Sequence, residues 1–514
     1  MKATHDFDTQ THRSAPLDMS AAAFRVSGHD LVDRIADWLD QMPAGPVVRD
    51  ESPADVRRAL HADRGLPAAG TDAGALIEEA SQLLFAHSLF NGHPRFFGYI
   101  TSSPAPIGAL GDLLASAVNA NVGAWRLAPM ATEIEAQTIR WIAELIGFPI
   151  DTGGLLVSGG NMANFVCFLA ARTAKAANAR TKGLRGEAPL RVYASTETHT
   201  WLQKAADMFG LGTDAIRSIA VDSEQRMDVS ALERQIIADR ERGEVPMLVA
   251  ATAGTVGTGV VDPLAAIAEV CRRHDVWFHV DGAYGAVAAR VPGAPDDLRA
   301  IAMADSIAVD PHKWLYAPVE AGCAMVRRRD DLLRAFSYHP SYYHFDHSVT
   351  NYFDYGPQNS RGVRALKVWL ALRQVGASGY LQMIAEDMQL SRHLFALVQQ
   401  HAEFEAMTQH LSIATFRYVP RDLQAASRTA ETESYLQKLN EDLLTRIERS
   451  GEAFLSHAMV DGRFALRACI VNFRTSRADI EALLPLIARH GQDSDRALRP
   501  YDTGGAQLAI SLNP

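Results

Sequence analysis

Between about residues 88 and 330, short β-rich runs alternate with helical stretches, and this rhythm restricts the fold more than any other feature of the chain. The runs are 155–157, 191–194, 247–251, 277–280 and Ser306–Val309, separated by longer helical patterns such as 164–177 and 264–274. Strands that alternate with helices build βαβ units. The sequence therefore predicts an α/β fold with a mostly parallel sheet and helices on both faces. A long helix over 361–375 leads into a C-terminal portion. There, strands at 413–417 and 467–472 and helices at 434–450 and 478–490 predict a smaller α/β domain, with 421–433 as a polar loop.

Residues 1–20 read as a loose terminus. From Phe24 to Leu39 apolar residues recur at helical spacing (Phe24, Leu31, Val32, Ile35, Ala36, Leu39) before Pro43 closes the segment. A second helix is expected over 72–87. Both have a pronounced apolar side and no domain of their own, so each is expected to pack on another surface, of this chain or of a second copy. With 514 residues the chain is long enough for more than one domain.

A net charge of −10 speaks against a nucleic-acid partner. The basic tract 172–191 reads as a solvated helix end. No stretch approaches the roughly 18 apolar residues of a membrane span, and the first twenty residues lack the apolar centre of a signal peptide. Cys167, Cys271, Cys323 and Cys469 form neither a Cys-x-x-Cys pair nor a dense framework. Reduced thiols in a cytoplasmic protein are expected.

Four segments carry chemistry. Val309-Asp310-Pro311-His312-Lys313-Trp314 puts a lysine just past a buried strand, where burial or neighbours can free its amine for attack on a carbonyl. Ser158-Gly159-Gly160-Asn161 lies between a strand and a helix, where backbone N–H groups and the helix N-terminus suit a phosphate. The strand at 277–280 runs into Asp281, an acid at the sheet edge where open α/β sheets bind ligands. Thr196-Glu197-Thr198-His199-Thr200 offers His199 to stack on a flat ring or to titrate near neutral pH.

Alone, each has an ordinary structural reading. Together they supply an anion cradle, a ring-face partner, a carboxylate for a pyridine nitrogen and an amine for covalent attachment, the set that pyridoxal 5'-phosphate needs. The glycines of Thr252-Ala253-Gly254-Thr255-Val256-Gly257-Thr258-Gly259 fall in G-x-x-G-x-G order with no immediate helix, which excludes a nicotinamide fingerprint. His339, His344 and His347, amid Tyr338, Tyr342, Tyr343, Tyr352 and Tyr355, are too irregularly spaced for a metal site and read as a loop over an active site.

With these residues in place the chain resembles the group II pyridoxal-phosphate decarboxylases, the family of aromatic-L-amino-acid, glutamate and related decarboxylases. The likeness runs through Phe24-Arg25-Val26-Ser27-Gly28, His93-Pro94-Arg95-Phe96-Phe97-Gly98-Tyr99, Thr132-Glu133-Ile134-Glu135, the lysine motif and Arg361-Gly362-Val363-Arg364-Ala365-Leu366-Lys367. It is strongest to the aromatic branch. The resemblance implies fold type I, the aspartate-aminotransferase-like architecture. It would comprise N-terminal helices at 1–87 packing on the partner of an obligate homodimer, a large seven-stranded domain at 88–375 and a small domain at 376–514.

It further implies that Lys313 attaches the cofactor, His199 stacks on its ring and Asp281 pairs with the ring nitrogen. Ala283 lies under the ring, Gly159, Gly160 and Asn161 hold the phosphate, and Thr252 and His312 complete the cofactor site. Tyr352, counted back without gaps from Arg361 and Lys367, matches the loop tyrosine that protonates Cα. The substrate pocket is expected at Tyr99, Ser102, Asn91, Gly123 and Arg126.

Asp310 stands where many relatives have asparagine, and Val256 where threonine is common. Asn91 and Gly123 replace bulky aromatic residues of the animal enzymes. The expected reaction is decarboxylation of an aromatic amino acid to its amine. The rival readings are an aldehyde synthase on the same scaffold, which consumes oxygen, and a decarboxylase of glutamate or diaminobutyrate, toward which Asn91 and Arg126 lean. A transcription regulator would want a basic helix-turn-helix that residues 1–85 do not offer. A dead scaffold would not keep Lys313, Asp281, His199 and Tyr352 together.

Overall fold

The computed structural model describes residues 15–176, 178–339, 346, 348–424 and 429–499 and separates into two compact units, Met1–Phe90 and Asn91–Pro514. In the first unit, helices Ala21–Gln41 and Ala73–Ala86 run close to the expected spans. Ser20 and Asp72 cap them, accepting the N–H of Ala23 and Ala75. Trp38 stacks on Phe85 with ring centres 5.0 Å apart. Helix Ala21–Gln41 nevertheless buries none of its residues, and Phe24, Val26 and Val32 stay exposed.

The second unit is built on a seven-stranded sheet. Its strands are β1 (Gly153–Val157), β2 (Leu190–Ser195), β3 (Ile216–Ile219), β4 (Val245–Thr252), β5 (Trp277–Asp281), β6 (Ser306–Val309) and β7 (Gly322–Val326), in the order β1-β7-β6-β5-β4-β2-β3. β2 to β6 pair in parallel, whereas β7 runs antiparallel to β1 and β6. Every residue of β1, β5, β6 and β7 is buried, as expected of strands covered on both faces. β3 and β7 were not expected from the sequence. β3 is a half-wet run of four residues in which Arg217 and Ser218 separate Ile216 from Ile219, and β7 has one β-branched residue, Val326, so neither carries a strong strand signal.

A second core lies toward the C-terminus. Strands β8 (Phe404–His410), β9 (Ile413–Tyr418), β10 (Ser456–Val460) and β11 (Arg463–Cys469) form an antiparallel sheet in the order β10-β11-β9-β8. Leu436, Leu443 and Ile447 of helix Ala430–Ser450 and Ile480, Leu483 and Ile487 of helix Arg477–Leu498 pack in that core. The predicted polar loop at 421–433 is corrected: residues Arg421–Gln424 and those from Ala430 onward are helical. Helix Ala365–Gln400 spans both cores and is broken at Gly376, where φ is 70° and ψ 167°. The helix expected to stop at 375 therefore kinks there and resumes, and its far end, with Leu394 and Val398, joins the second core.

Candidate active site

Sheet register sets the site. Thr252 pairs with Asp281 and Asp281 with Ala308, so the C-terminal ends of β4, β5 and β6 lie abreast. Just past β6 the chain turns tightly: Lys313 N–H donates to the Asp310 carbonyl (2.8 Å) and Tyr316 N–H to the Lys313 carbonyl (3.2 Å). The turn is gripped from outside. Trp314 stacks on Tyr284 (5.0 Å), and the Trp314 indole N–H and the Tyr316 hydroxyl both donate to Asp387 Oδ2, at 2.8 and 2.7 Å. The Ser102 hydroxyl donates to the His312 carbonyl (3.1 Å). Held this way, Lys313 lines a cavity of about 520 Å³ shared with Asp281, His199, Thr252, Ala283, His312, Gly159, Gly160 and Asn161.

The cavity floor has room only for glycine. A Cβ on Gly322 of β7 would lie 2.5 Å from the Gly159 backbone, and one on Gly160 would stand 2.8 Å from Asp310 Oδ2. Gly160 opens helix Gly160–Lys175, whose N-cap residue Gly159 has no capping side chain, so the first-turn N–H groups suit an anion. Asp310 ties this floor together. Its Oδ2 accepts the Gly160 N–H (2.9 Å) and stands 3.7 Å from Lys313 Nζ, and its Oδ1 is 2.9 Å from His312 Nδ1.

Asp281 is buried at the opposite wall, with Oδ2 accepting the Trp201 indole N–H (2.8 Å) and Oδ1 the Ala283 N–H (3.2 Å). His199 Nδ1 accepts the Trp201 backbone N–H (3.2 Å). Lost solvent outweighs the attraction of Asp281 and holds the His199 pKa below the usual histidine value. Thr252 sends its N–H to Asp262 Oδ2 (2.8 Å), while its buried hydroxyl has no hydrogen-bond partner among the described residues.

Not every expected residue reaches the cavity. Tyr352 is buried with its ring 4.7 Å from the Arg361 guanidinium, and Arg361 in turn pairs with buried Glu135 (2.5 Å). Tyr352 is not among the residues lining the Lys313 cavity, where the gap-free count from Arg361 would bring it. Such a count assumes constant spacing across a loop, and loops are where length varies. Gly123 also stands apart from the lining, because a Cβ there would fall on the Asn359 carbonyl. Arg126 is exposed and outside it.

Asn91 spends its amide on the Ser102 carbonyl (3.0 Å), so Asn91 and Ser102 brace the lysine turn rather than line the cavity. Tyr99 is half-exposed beside Ile100, which does line it. His339 contacts Asp354 (3.0 Å), whereas His344, His347, Tyr342 and Tyr343 lie outside the described residues. Among the described residues no group of three or more His, Cys, Asp or Glu is arranged to hold a metal.

Sequence reasoning missed three participants. Trp201 and Asp387 hold Asp281 and the lysine turn, and neither falls in a motif. Arg467, 2% exposed, donates to the Tyr99 carbonyl (3.0 Å), to Ser456 (3.0 Å) and to the Gly257 carbonyl (3.2 Å). Its buried Nη2 has no hydrogen-bond partner among the described residues.

The free Thr252 hydroxyl, the uncapped floor at Gly159 and the strand-end carboxylate facing Lys313 across one cavity fit pyridoxal phosphate. Comparison with known proteins agrees. Residues 53–419 match the pyridoxal-dependent decarboxylase conserved domain. The chain is 33% identical over 472 residues to the aromatic-L-amino-acid decarboxylase of Bacillus atrophaeus, across 91% of this chain and 95% of that one. Among solved structures it is similar to Oryza sativa TDC with PLP and tryptamine (TM-score 0.86, 28% identity, 94% of this chain and 99% of that chain). It is also similar to mouse CSAD (TM-score 0.87, 28% identity, 92% and 100%). Domain match, whole-length relatives and a cavity shaped for the cofactor agree that the chain belongs to the pyridoxal-dependent decarboxylase family, on a fold type I scaffold.

Proposed function

We propose that this chain decarboxylates an aromatic L-amino acid to its amine and carbon dioxide, with Lys313 as the residue that holds pyridoxal 5'-phosphate covalently. The observation that carries the reading is the convergence of Lys313, Asp281 and His199 on one cavity beside the Gly159-Gly160 turn. Pyridoxal phosphate, when bound, supplies an electron-accepting ring joined to the substrate nitrogen, which takes up the electron pair of the breaking Cα–carboxylate bond.

The side chains divide the remaining work. Gly159, Gly160 and Asn161 hold the phosphate at the helix N-terminus, with His312 beside them. Asp281 would accept the N–H of the pyridine nitrogen and keep that nitrogen protonated. His199, whose pKa burial holds below the usual histidine value, would cover one ring face, and Ala283 would lie against the other. Thr252, whose hydroxyl has no partner among the described residues, would offer it to the cofactor. Lys313, which lines the same cavity, would hold the cofactor through its amine and, once that amine is free, would be placed to move protons.

Ile100 and Val256 on the cavity wall, with Tyr99 and Phe454 beside them (5.8 Å apart), favour an aromatic side chain. The case for a polar substrate weakens, since Asn91 is occupied by Ser102 and Arg126 lies off the cavity. Arg467 is not on the cavity lining itself, but it grips Tyr99 and Gly257, the chain neighbours of lining residues Ile100 and Val256, and its Nη2, without a hydrogen-bond partner among the described residues, suits the substrate carboxylate. The names and contents of the relatives, an aromatic-L-amino-acid decarboxylase and a complex with tryptamine, support the same class.

Uncovered apolar faces support a homodimer in which residues 1–87 pack on the partner, beside a large domain at 88–375 and a small one at 376–514. They include Phe24 and Val26 in the first unit, and Leu110, Leu113 and Leu114 in the second. No described helix is long and apolar enough to cross a membrane. All four cysteines are free and buried, which supports a cytoplasmic setting.

Product analysis by mass spectrometry tests the reading, using the cofactor-loaded enzyme and a mixture of aromatic amino acids, glutamate and diaminobutyrate. An aromatic amine is expected. An aldehyde with peroxide would overturn the reaction, and a polar amine would overturn the substrate class.

A further inference from the structure

Trp201 opens helix Trp201–Met208 two residues after His199, and its ring is fully buried. Phe168 and His279 meet it edge-on, with ring centres at 6.5 and 5.6 Å. A buried indole must find an acceptor for its N–H, and this one finds Asp281 Oδ2 at 2.8 Å. The backbone N–H of the same residue donates to His199 Nδ1 at 3.2 Å, which leaves the imidazole proton on Nε2. One residue thus holds both Asp281 and His199.

The wall behind it is equally fixed. His279 sits on β5 two residues before Asp281, and its Nδ1 meets the Ser306 hydroxyl (2.9 Å) while its Nε2 meets Asn164 Oδ1 (2.7 Å). Asn164 Oδ1 can only accept, which puts the imidazole proton on Nε2 and leaves Nδ1 to accept the Ser306 hydroxyl hydrogen, while Ser306 Oγ accepts the Trp277 indole N–H (2.8 Å). Fully buried and hydrogen-bonded at both nitrogens, His279 gives Trp201 a rigid surface to pack on.

We propose that Trp201 is a positioning residue for the cofactor ring: it fixes the Asp281 carboxylate toward the pyridine nitrogen and the His199 imidazole toward the ring face, as one unit. The inference rests on the assignment of Asp281 and His199 to that ring. Trp201→Phe keeps a ring in the buried slot and removes the indole N–H, while the backbone donor to His199 remains. Asp281 then loses the donor on the oxygen opposite Ala283.

The test compares two ligands on the full chain, freed of cofactor and titrated by absorbance. One is pyridoxal 5'-phosphate and the other its 1-deaza analogue, in which C–H replaces the ring nitrogen and leaves Asp281 nothing to pair with. In Trp201→Phe the dissociation constant for pyridoxal phosphate should rise about tenfold, while that for the analogue should change less than about twofold. Equal weakening of both ligands would mean a packing role only and overturn the proposal, as would an unchanged affinity for pyridoxal phosphate. Failure of the wild type to bind either ligand would overturn the cofactor assignment itself and the proposal with it.

If Trp201→Phe does not fold, the wild type labelled with nitrogen-15 at its seven indoles decides the matter. One indole N–H signal should differ between the protein loaded with pyridoxal phosphate and the protein loaded with the analogue. Identical indole spectra would overturn the proposal.

Discussion

Replacing Asp387 with asparagine should remove most of a pH dependence that the lysine turn imposes on the fold. Asp387 is buried, with Oδ2 accepting from Trp314 and Tyr316, and burial pushes its carboxyl from the ordinary 3.8 up to about 7, with the Glu386 charge adding to the rise. A carboxyl whose folded pKa lies above its unfolded one binds its proton more tightly in the fold. Stability is then highest below the unfolded value and falls as pH rises through the folded value. A rise of roughly three units costs the folded state about 2–3 kcal/mol between pH 5 and 8.

The asparagine carbonyl keeps both acceptor contacts and has no such titration. For a chain of 514 residues the unfolding entropy turns that energy into roughly 2–3 °C of melting temperature. The assay is differential scanning calorimetry of both proteins at matched scan rates from pH 5 to 8, since all other titrating groups cancel in the difference. The Asp387→Asn variant should gain on the wild type as pH rises toward about 7 and hold that gain above it. A gap that stays flat across this range would mean that the Asp387 carboxyl is not raised in the fold.

Two further outcomes follow from the site. Tyr352→Phe should leave an amine as the product, because Tyr352 is packed on Arg361 and does not line the cavity. Arg467→Met should raise KM about tenfold with a smaller change in kcat, measured by steady-state release of carbon dioxide, and an unchanged KM would remove Arg467 from the substrate's path.

The rhythm of strands and helices was legible because each central strand is a continuous apolar run. The run Ser306–Val309 is β6 to the residue, and the helix expected over 264–274 is found at Leu264–Arg273. Lys313, Asp281, His199 and the glycine turn were legible as a set, since each sits at or just beyond the end of such a run. What stayed hidden depends on tertiary neighbours. Gly322–Val326 becomes a strand because β1 and β6 flank it, and its glycine is needed against Gly159.

Trp201, Asp387 and Arg467 belong to no motif, and contacts that hold them reach far along the chain: Trp201 to Asp281, 80 residues on, Asp387 to Tyr316 and Trp314, 71 and 73 back, and Arg467 to Gly257 and Tyr99, 210 and 368 back. Gly123 read as a vacated pocket position, but close approach to Asn359 makes it a backbone requirement. Motif residues Glu135 and Arg361, quoted for the family likeness, turn out to be a buried ion pair beneath Tyr352.

Everything proposed for the site depends on Lys313 carrying the cofactor. Borohydride reduction of the cofactor-loaded enzyme, followed by digestion and peptide mass spectrometry, reads that attachment without reference to substrate. A reduced phosphopyridoxyl group is expected on Lys313, and it should disappear together with the bound cofactor's absorbance in Lys313→Ala. A label on another lysine, or none on the wild type, would contradict the assignment.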